Sequence, residues 1–243
     1  MEHSQNPVPM DHWAQQSPIK LFRAESLYVE FPKSFLSIDY SGAPFSGKFD
    51  GAPGHKNFVL NELAPDQNPP LVKLGGVTAE LVKIHLHTPS EHELEGENKG
   101  GEIHLIHQIK NPTGGSELLV LGVFFEVKVR KEKAEKEEKA TSVESKFFQL
   151  WAASLKAAAQ QTGLSDAPDF SIDPRHLLPK TTKWYRYEGS LTSEPYRETV
   201  SWVVFTKTLG IESEDLKLLQ AEAHQPEREV QAINRRFVLR NFN

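Results

Sequence analysis

The chain has 243 residues and a formal net charge of −5, which suffices for one large domain and gives no electrostatic basis for binding nucleic acid. It contains no cysteine, so disulfide bonds, thiolate metal sites and cysteine nucleophiles are excluded. No apolar run approaches the roughly 20 residues that a membrane-spanning helix requires. A histidine-based site remains the main candidate for metal binding.

Residues 1–15 are polar and contain prolines, which predicts an irregular N-terminal arm. They lack the basic and then apolar segments of a signal peptide. A processed chain would look the same, so the sequence leaves the compartment unknown.

The remainder of the chain is typical of one strand-rich domain, 1–243, with a few short peripheral helices. Short β-like runs separated by Gly/Pro turns occupy residues 19–63, and a Pro-rich loop is expected over 64–76. Ser116–Arg130 is apolar and then alternating, which predicts a central strand. Helical spacing of apolar residues over 143–159 predicts a helix, and Arg235–Arg240 predicts a final strand. The mixed-charge run 131–139 predicts a solvated helix or a disordered loop, to which we assign no function.

Five of the ten histidines lie within Leu81–His107, in two runs that alternate polar and apolar residues. Successive side chains of a strand point to opposite faces, so His85 and His87 share one face, and Glu102 and His104 share one face of the second run. If the two runs pair, three imidazoles converge, as in a catalytic zinc site with its fourth position open. A single histidine is more often an ordinary surface or core residue, but this combination rarely arises by chance.

Several motifs in chain order resemble the α-class carbonic anhydrases. They are Gln16-Ser17-Pro18-Ile19, His85-Leu86-His87, Ser90-Glu91-His92, Glu102-Ile103-His104-Leu105-Ile106-His107, Leu118-Leu119-Val120-Leu121-Gly122, Asp173-Pro174, Leu177-Leu178-Pro179, Tyr185-Arg186-Tyr187-Glu188-Gly189-Ser190-Leu191-Thr192 and Val200-Ser201-Trp202. The short connection after His87 is of the bacterial and plant type. The resemblance implies a mostly β fold on a large, mainly antiparallel twisted sheet, with Zn²⁺ at the bottom of a conical cleft.

The resemblance also implies reversible hydration of carbon dioxide to bicarbonate, by attack of a zinc-bound hydroxide. In carbonic anhydrases, the standard example of this chemistry, the zinc-bound water ionises near neutral pH. Carbon dioxide and bicarbonate are thus the expected small-molecule partners. A homodimer and, for a processed form, a periplasmic or secreted location are also expected from the family.

Matching positions imply that the zinc ligands are His85, His87 and His104. Glu102 would receive the second N–H of His104 and hold its tautomer. His92 and Asn234 would support the ligands from behind. His107 has the wrong strand parity to join them, so we expect it to pack on the other side of the sheet.

Thr192 matches the family's hydroxyl that orients the attacking hydroxide, and Glu91 matches the acceptor of the threonine's own hydrogen bond. His55 matches the family's proton shuttle, a task that suits a histidine in the cleft. Without the resemblance, Thr192 would be a turn residue, Glu91 a surface charge and His55 an exposed histidine.

The apolar wall that receives carbon dioxide is implied at Ile106, Val120, Leu191 and Trp202, each of which would otherwise be ordinary core. Two positions depart from the family. Lys83 replaces a glutamine that usually accepts the N–H of the first ligand, and lysine has no acceptor atom. Glu194 replaces a proline just after the threonine.

Three other functions share parts of this pattern. In a cupin, Glu91 would join His85 and His87 on the metal, but no histidine follows Pro112-Thr113-Gly114 where the second cupin block requires one. A catalytically silent relative that only binds a partner generally lacks a zinc histidine. A zinc hydrolase acting on esters would use the same site.

Overall fold

The computed structural model describes residues 14–51, 57–111, 116–128, 147–153, 169–180, 183–222 and 227–243. The strands are β1 Lys20–Leu21, β2 Leu27–Tyr28, β3 Leu36–Asp39, β4 Phe45–Asp50, β5 Asn57–Leu60, β6 Leu71–Leu74, β7 Val77–His87, β8 Glu93–Leu94, β9 Glu97–Asn98, β10 Gly101–Ile109, β11 Leu118–Val127, β12 Phe170–Ile172, β13 Trp184–Gly189, β14 Val200–Ile211 and β15 Leu239–Arg240. The helical segments are α1 (147–153), a 3₁₀ helix Pro174–Leu177 and α2 Ser213–Glu222.

A twelve-stranded sheet forms the body of the molecule, in the order β12-β4-β5-β7-β10-β11-β14-β13-β15-β2, and β3 and β6 continue it alongside the first half of β7. Two of its strand pairs, β11 with β14 and β15 with β2, are parallel, and the others are antiparallel. Strands β1, β8 and β9 form a small separate sheet. The predicted large, mainly antiparallel sheet is therefore confirmed.

The strands that carry the histidines lie at the centre of this sheet, where both faces are covered. Strand β10 is buried along almost its whole length, and β11 beside it has the same character. A large apolar cluster packs against one face and contains Ile103 and Leu105, whereas a smaller cluster on the other face contains Ile106, Val120 and Trp202. The alternation of β10 thus divides its side chains between two cores.

The predicted central strand and helix are confirmed where the structure describes them. Strand β11 lies between β10 and β14, and α1 packs Phe148 and Trp151 into the larger cluster. None of the helices in the described part of the chain is long and apolar enough to cross a membrane.

Two expectations about strands were wrong. The stretch 64–76 is not all loop, because Leu71–Leu74 forms β6 and buries Val72 against the sheet. The final strand is shorter than the predicted Arg235–Arg240, because only Leu239–Arg240 pairs with its neighbours and a turn lies before it. Arg236 stabilises that turn by donating to backbone carbonyl groups, including that of Ile233.

Candidate metal centre

Pairing of β7 with β10 brings the three predicted ligands together. His85 lies directly opposite His104, and His87 lies opposite Glu102. The ring centroids of His85, His87 and His104 are 4.7–5.0 Å apart, and one nitrogen of each lies within 4.8 Å of those of the others. The two-residue period of the strands places all three rings on the same face, as predicted.

The nitrogen atoms fit a small divalent ion. Nε2 of His85 lies 3.1 Å from Nδ1 of His104. Two nitrogens bound tetrahedrally to one zinc ion would lie about 3.3 Å apart, from Zn–N bonds of about 2.0–2.1 Å. Three imidazoles without a thiolate are also the ligand set of known catalytic zinc sites. The residues present therefore fit Zn²⁺.

Glu102 holds two histidines behind this centre. Its Oε1 atom accepts a hydrogen bond from Nδ1 of His92 at 2.8 Å and lies 3.2 Å from Nε2 of His104, while Oε2 accepts from the backbone N–H of His92. Burial acts to raise the pKa of the Glu102 carboxyl, but the charges and hydrogen bonds of His92 and His104 outweigh it and lower the pKa well below its ordinary value. Glu102 is therefore an ionised acceptor, which directs Nδ1 of His104 toward His85 and His87.

Glu102 also changes the pKa of His104. Burial acts to lower the pKa of His104, but the charge and hydrogen bond of Glu102 and the charge of Glu91 outweigh it and raise the pKa. A bound metal would therefore compete with a proton for His104.

The network continues away from the metal through Tyr187. Its hydroxyl lies 2.7 Å from Nε2 of His92 and donates to Oγ of Ser17 at 2.9 Å. Ser17 Oγ also accepts the backbone N–H of Ser190, and Ser190 Oγ accepts that of Ser17. The motif beginning at Gln16 therefore fixes the loop that leads to Thr192.

Glu91 lies beside the predicted ligands and is hydrogen-bonded to Thr192. That bond lowers the pKa of the Glu91 carboxyl, so the threonine hydroxyl donates to the carboxylate. Burial is the largest influence and leaves the pKa of Glu91 above its ordinary value, despite the nearby charge of His104. The structure therefore brings the two residues of the predicted orienting pair into contact.

Arg228 is a residue of this site that the sequence analysis missed. Its backbone N–H lies 3.4 Å from Oε1 of Glu91, and its guanidinium donates to the carbonyl of Ser17 at 2.6 Å and to Oε1 of Gln16 at 2.8 Å. The guanidinium also stacks 3.8 Å from the ring centroid of Tyr196. Arg228 thus joins the C-terminal segment to the loop around Thr192, and no local motif in the sequence marks it for this role.

Asn57 was also missed. Its Oδ1 atom lies 3.1 Å from Nδ1 of His85, across the pairing of β5 with β7. No local motif marks this asparagine, which is 28 residues from the histidine it contacts.

The four residues predicted to receive carbon dioxide lie in one apolar cluster. Ile106, Val120 and Trp202 are buried members of the smaller cluster, and Leu191 packs against it. The ring of Trp202 lies 4.9 Å from that of His104, centroid to centroid. The predicted wall therefore lies against one of the three predicted ligands.

The remaining predicted residues lie elsewhere. His107 is buried on the opposite side of the sheet, where Tyr40 Oη lies 2.7 Å from its Nε2 and the Leu119 carbonyl accepts from its Nδ1 at 3.1 Å. The structure does not bring Asn234 to the ligands, because it is exposed and its amide donates to the Ala14 carbonyl. His55 lies outside the described residues.

Comparisons with known proteins identify the family of this chain. A family model for eukaryotic-type carbonic anhydrase matches residues 3–242. Among curated proteins, alpha carbonic anhydrase 7 of Arabidopsis thaliana is 28% identical over 69% of this chain and 55% of its own length. A carbonic anhydrase of Klebsiella pneumoniae is 31% identical over 69% of this chain and 60% of its own length. The chain therefore spans a little over half the length of these relatives.

A solved structure of similar fold is the α-carbonic anhydrase of Thermovibrio ammonificans in complex with the inhibitor sulfanilamide. The two chains share 26% sequence identity with a TM-score of 0.70, over 93% of this chain and 87% of the other.

Proposed function

This chain belongs to the eukaryotic-type carbonic anhydrase family, and from that premise we propose that it hydrates carbon dioxide reversibly to bicarbonate and a proton. The proposed zinc ligands are His85, His87 and His104. The observation that carries the proposal is that one nitrogen of each lies within 4.8 Å of the others beside a contacting Glu91–Thr192 pair.

When bound, Zn²⁺ supplies Lewis-acid activation of a water molecule for attack on carbon dioxide. The protein orients the ligands and the attacking water. Glu102 faces Nε2 of His104 and leaves Nδ1 as the coordinating atom.

Thr192 selects the direction of attack. Since its hydroxyl proton is donated to Glu91, the hydroxyl oxygen can act toward the attacking water only as an acceptor. That single hydrogen bond fixes the attacking oxygen's remaining lone pair toward the substrate, and such positioning removes much of the entropic part of a barrier.

The apolar cluster suits the substrate. Carbon dioxide has no net dipole and only weak acceptor oxygens, so an apolar wall of Val120, Leu191 and Trp202 can hold it without competing for the hydrogen bond to Thr192. Bicarbonate carries a charge that this wall does not stabilise, which favours its release.

The proton released in each cycle must reach solvent. We propose that His55 carries it, because its position matches the family's proton shuttle and histidine is the side chain suited to proton transfer near neutral pH.

A stopped-flow assay of carbon dioxide hydration tests the proposal. We expect zinc-loaded protein to be active, and chelator-treated protein to be inactive until zinc is restored. His87→Ala should lose bound zinc and activity together, whereas His176→Ala, which removes an exposed histidine, should keep both. Absence of hydration by fully zinc-loaded protein would refute the proposed function.

A further inference from the structure

We propose that Asn57 is the positioning residue that holds His85 in its metal-binding tautomer, in place of the glutamine that this family usually carries at the position of Lys83. The inference deepens the proposed function and rests on it for the identity of the metal. The evidence for it is the register of β5 against β7 and the contact between the side chains of Asn57 and His85.

The register places Asn57 directly opposite His85 in an antiparallel pair. Opposite side chains project from the same face of a sheet, with their Cβ atoms about 4.5–5.5 Å apart. The next pair, Phe58 and Ile84, is buried in the larger core on the other face. A slip of β5 by one residue would turn Phe58 out of this core, so the core fixes Asn57 beside the histidine.

The contact determines which nitrogen of His85 carries the proton. Oδ1 of Asn57 lies 3.1 Å from Nδ1 of His85, and an amide oxygen can only accept a hydrogen bond. Nδ1 therefore carries the hydrogen, and the lone pair is on Nε2, which lies 3.1 Å from Nδ1 of His104. The other tautomer would place a proton where the metal has to bind.

Lys83 cannot accept a hydrogen bond from His85. It lies two residues before His85 on the same face of β7, but its ammonium group offers donors and no acceptor. The acceptor has thus moved from the histidine's own strand to the neighbouring strand.

The two acceptors in this centre differ in charge. His104 is held by the ionised Glu102, whereas His85 is held by a neutral amide. Because Asn57 adds no second negative charge behind the ligands, it orients His85 without further reducing the positive charge that a bound metal presents to water.

Zinc affinity, measured by competition with a chromogenic chelator, tests the proposal without relying on activity. Asn57→Leu removes the acceptor at similar volume and should weaken zinc binding by about 10- to 100-fold, the usual effect of losing such a partner. Asn57→Asp keeps an oxygen acceptor and should retain most of the affinity. Adding Lys83→Gln to Asn57→Leu should restore binding, because it returns the acceptor to β7.

The matched control is Asn61→Leu, which removes an amide just beyond the end of the same strand. That amide contacts Ser46 and Asp169, so zinc affinity should not change. In nitrogen-15-labelled, zinc-loaded protein, the Nδ1–H resonance of His85 should be protected from exchange in the unmodified chain and lose protection in Asn57→Leu.

Unchanged zinc affinity and unchanged exchange of the His85 N–H in a folded Asn57→Leu variant would overturn the inference. A chain that binds zinc but hydrates no carbon dioxide would refute the proposed function and leave this inference standing, since neither readout depends on turnover.

Discussion

Oε2 of Glu91 lies 3.3 Å from Nε2 of His87. The same oxygen lies 3.9 Å from Nδ1 of His104, so a carboxylate borders the nitrogens assigned to zinc. The other carboxylate oxygen lies 3.4 Å from the backbone N–H of Arg228, and the group is bonded to Thr192. These partners hold Glu91 beside the centre. At this distance the carboxylate could either accept a hydrogen bond from Thr192 or bind the metal itself.

Replacement of Glu91 by glutamine distinguishes a hydrogen-bond acceptor from a metal ligand. If Glu91 only accepts from Thr192, Glu91→Gln should keep zinc bound through three imidazoles while hydration falls by about 10- to 100-fold, because the threonine loses its charged acceptor. Chelator competition and X-ray absorption measure zinc affinity and the number of ligands. Loss of zinc in this variant would make Glu91 a ligand, as in a cupin, and would contradict the assignment.

Thr192→Ala tests the orienting hydroxyl directly. Zinc affinity should be unchanged, because Thr192 is not among the three ligands, and turnover should fall by about 100-fold as the attacking water loses its fixed direction. Thr192→Ser keeps a hydroxyl and should recover most of the rate. Stopped-flow hydration with a parallel zinc determination measures both, and full activity of the alanine variant would show that the hydroxyl has no orienting role.

Proton export can be tested at His55. In weakly buffered solution, His55→Ala should slow turnover, and added imidazole should restore it, because the diffusible base replaces the lost shuttle. In concentrated buffer the variant and the unmodified protein should be equally fast. A variant that is undiminished in weak buffer would make His55 a bystander.

The three histidines proposed as zinc ligands could be predicted from the sequence because local alternation and the pairing of two neighbouring strands bring them together. His85 and His87 are two residues apart, and strand geometry alone places them on one face. The same parity separated His104 from His107, which lies among the residues of the opposite core. The predicted carbon dioxide wall could be named only from the family resemblance, since a buried valine or tryptophan carries no chemical signal of its own.

Other features depend on contacts that are distant in the chain. Asn57 meets His85 only through the register of β5 with β7, and Arg228 meets Glu91 137 residues away in sequence. Strand β6 was missed because prolines precede it, although they lie outside the strand itself, Leu71–Leu74. The resemblance also suggested Asn234, whose positive φ of 56° places it in a turn facing Ala14.

The buried His107 predicts a measurable loss of stability in acid. Burial lowers the pKa of His107 from 6.5 to about 4, against the opposing effect of its hydrogen bond to the Leu119 carbonyl. Above pH 6.5 the residue is neutral in both the folded and the unfolded chain and contributes no pH dependence. As the pH falls from 6.5 toward 4, the unfolded chain takes up a proton that the folded chain refuses, so the free energy of unfolding decreases.

Between about pH 8 and about pH 5 this effect should cost about 2 kcal/mol. His107→Gln cannot titrate, so it should be less stable than the unmodified chain at the higher pH, through loss of hydrogen bonds to Tyr40 and Leu119, but should lose less stability on acidification. Urea unfolding of chelator-treated protein at both pH values measures this difference. The metal-free histidines titrate equally in both proteins, so their contribution cancels, and parallel pH profiles would show that His107 is not held neutral by burial.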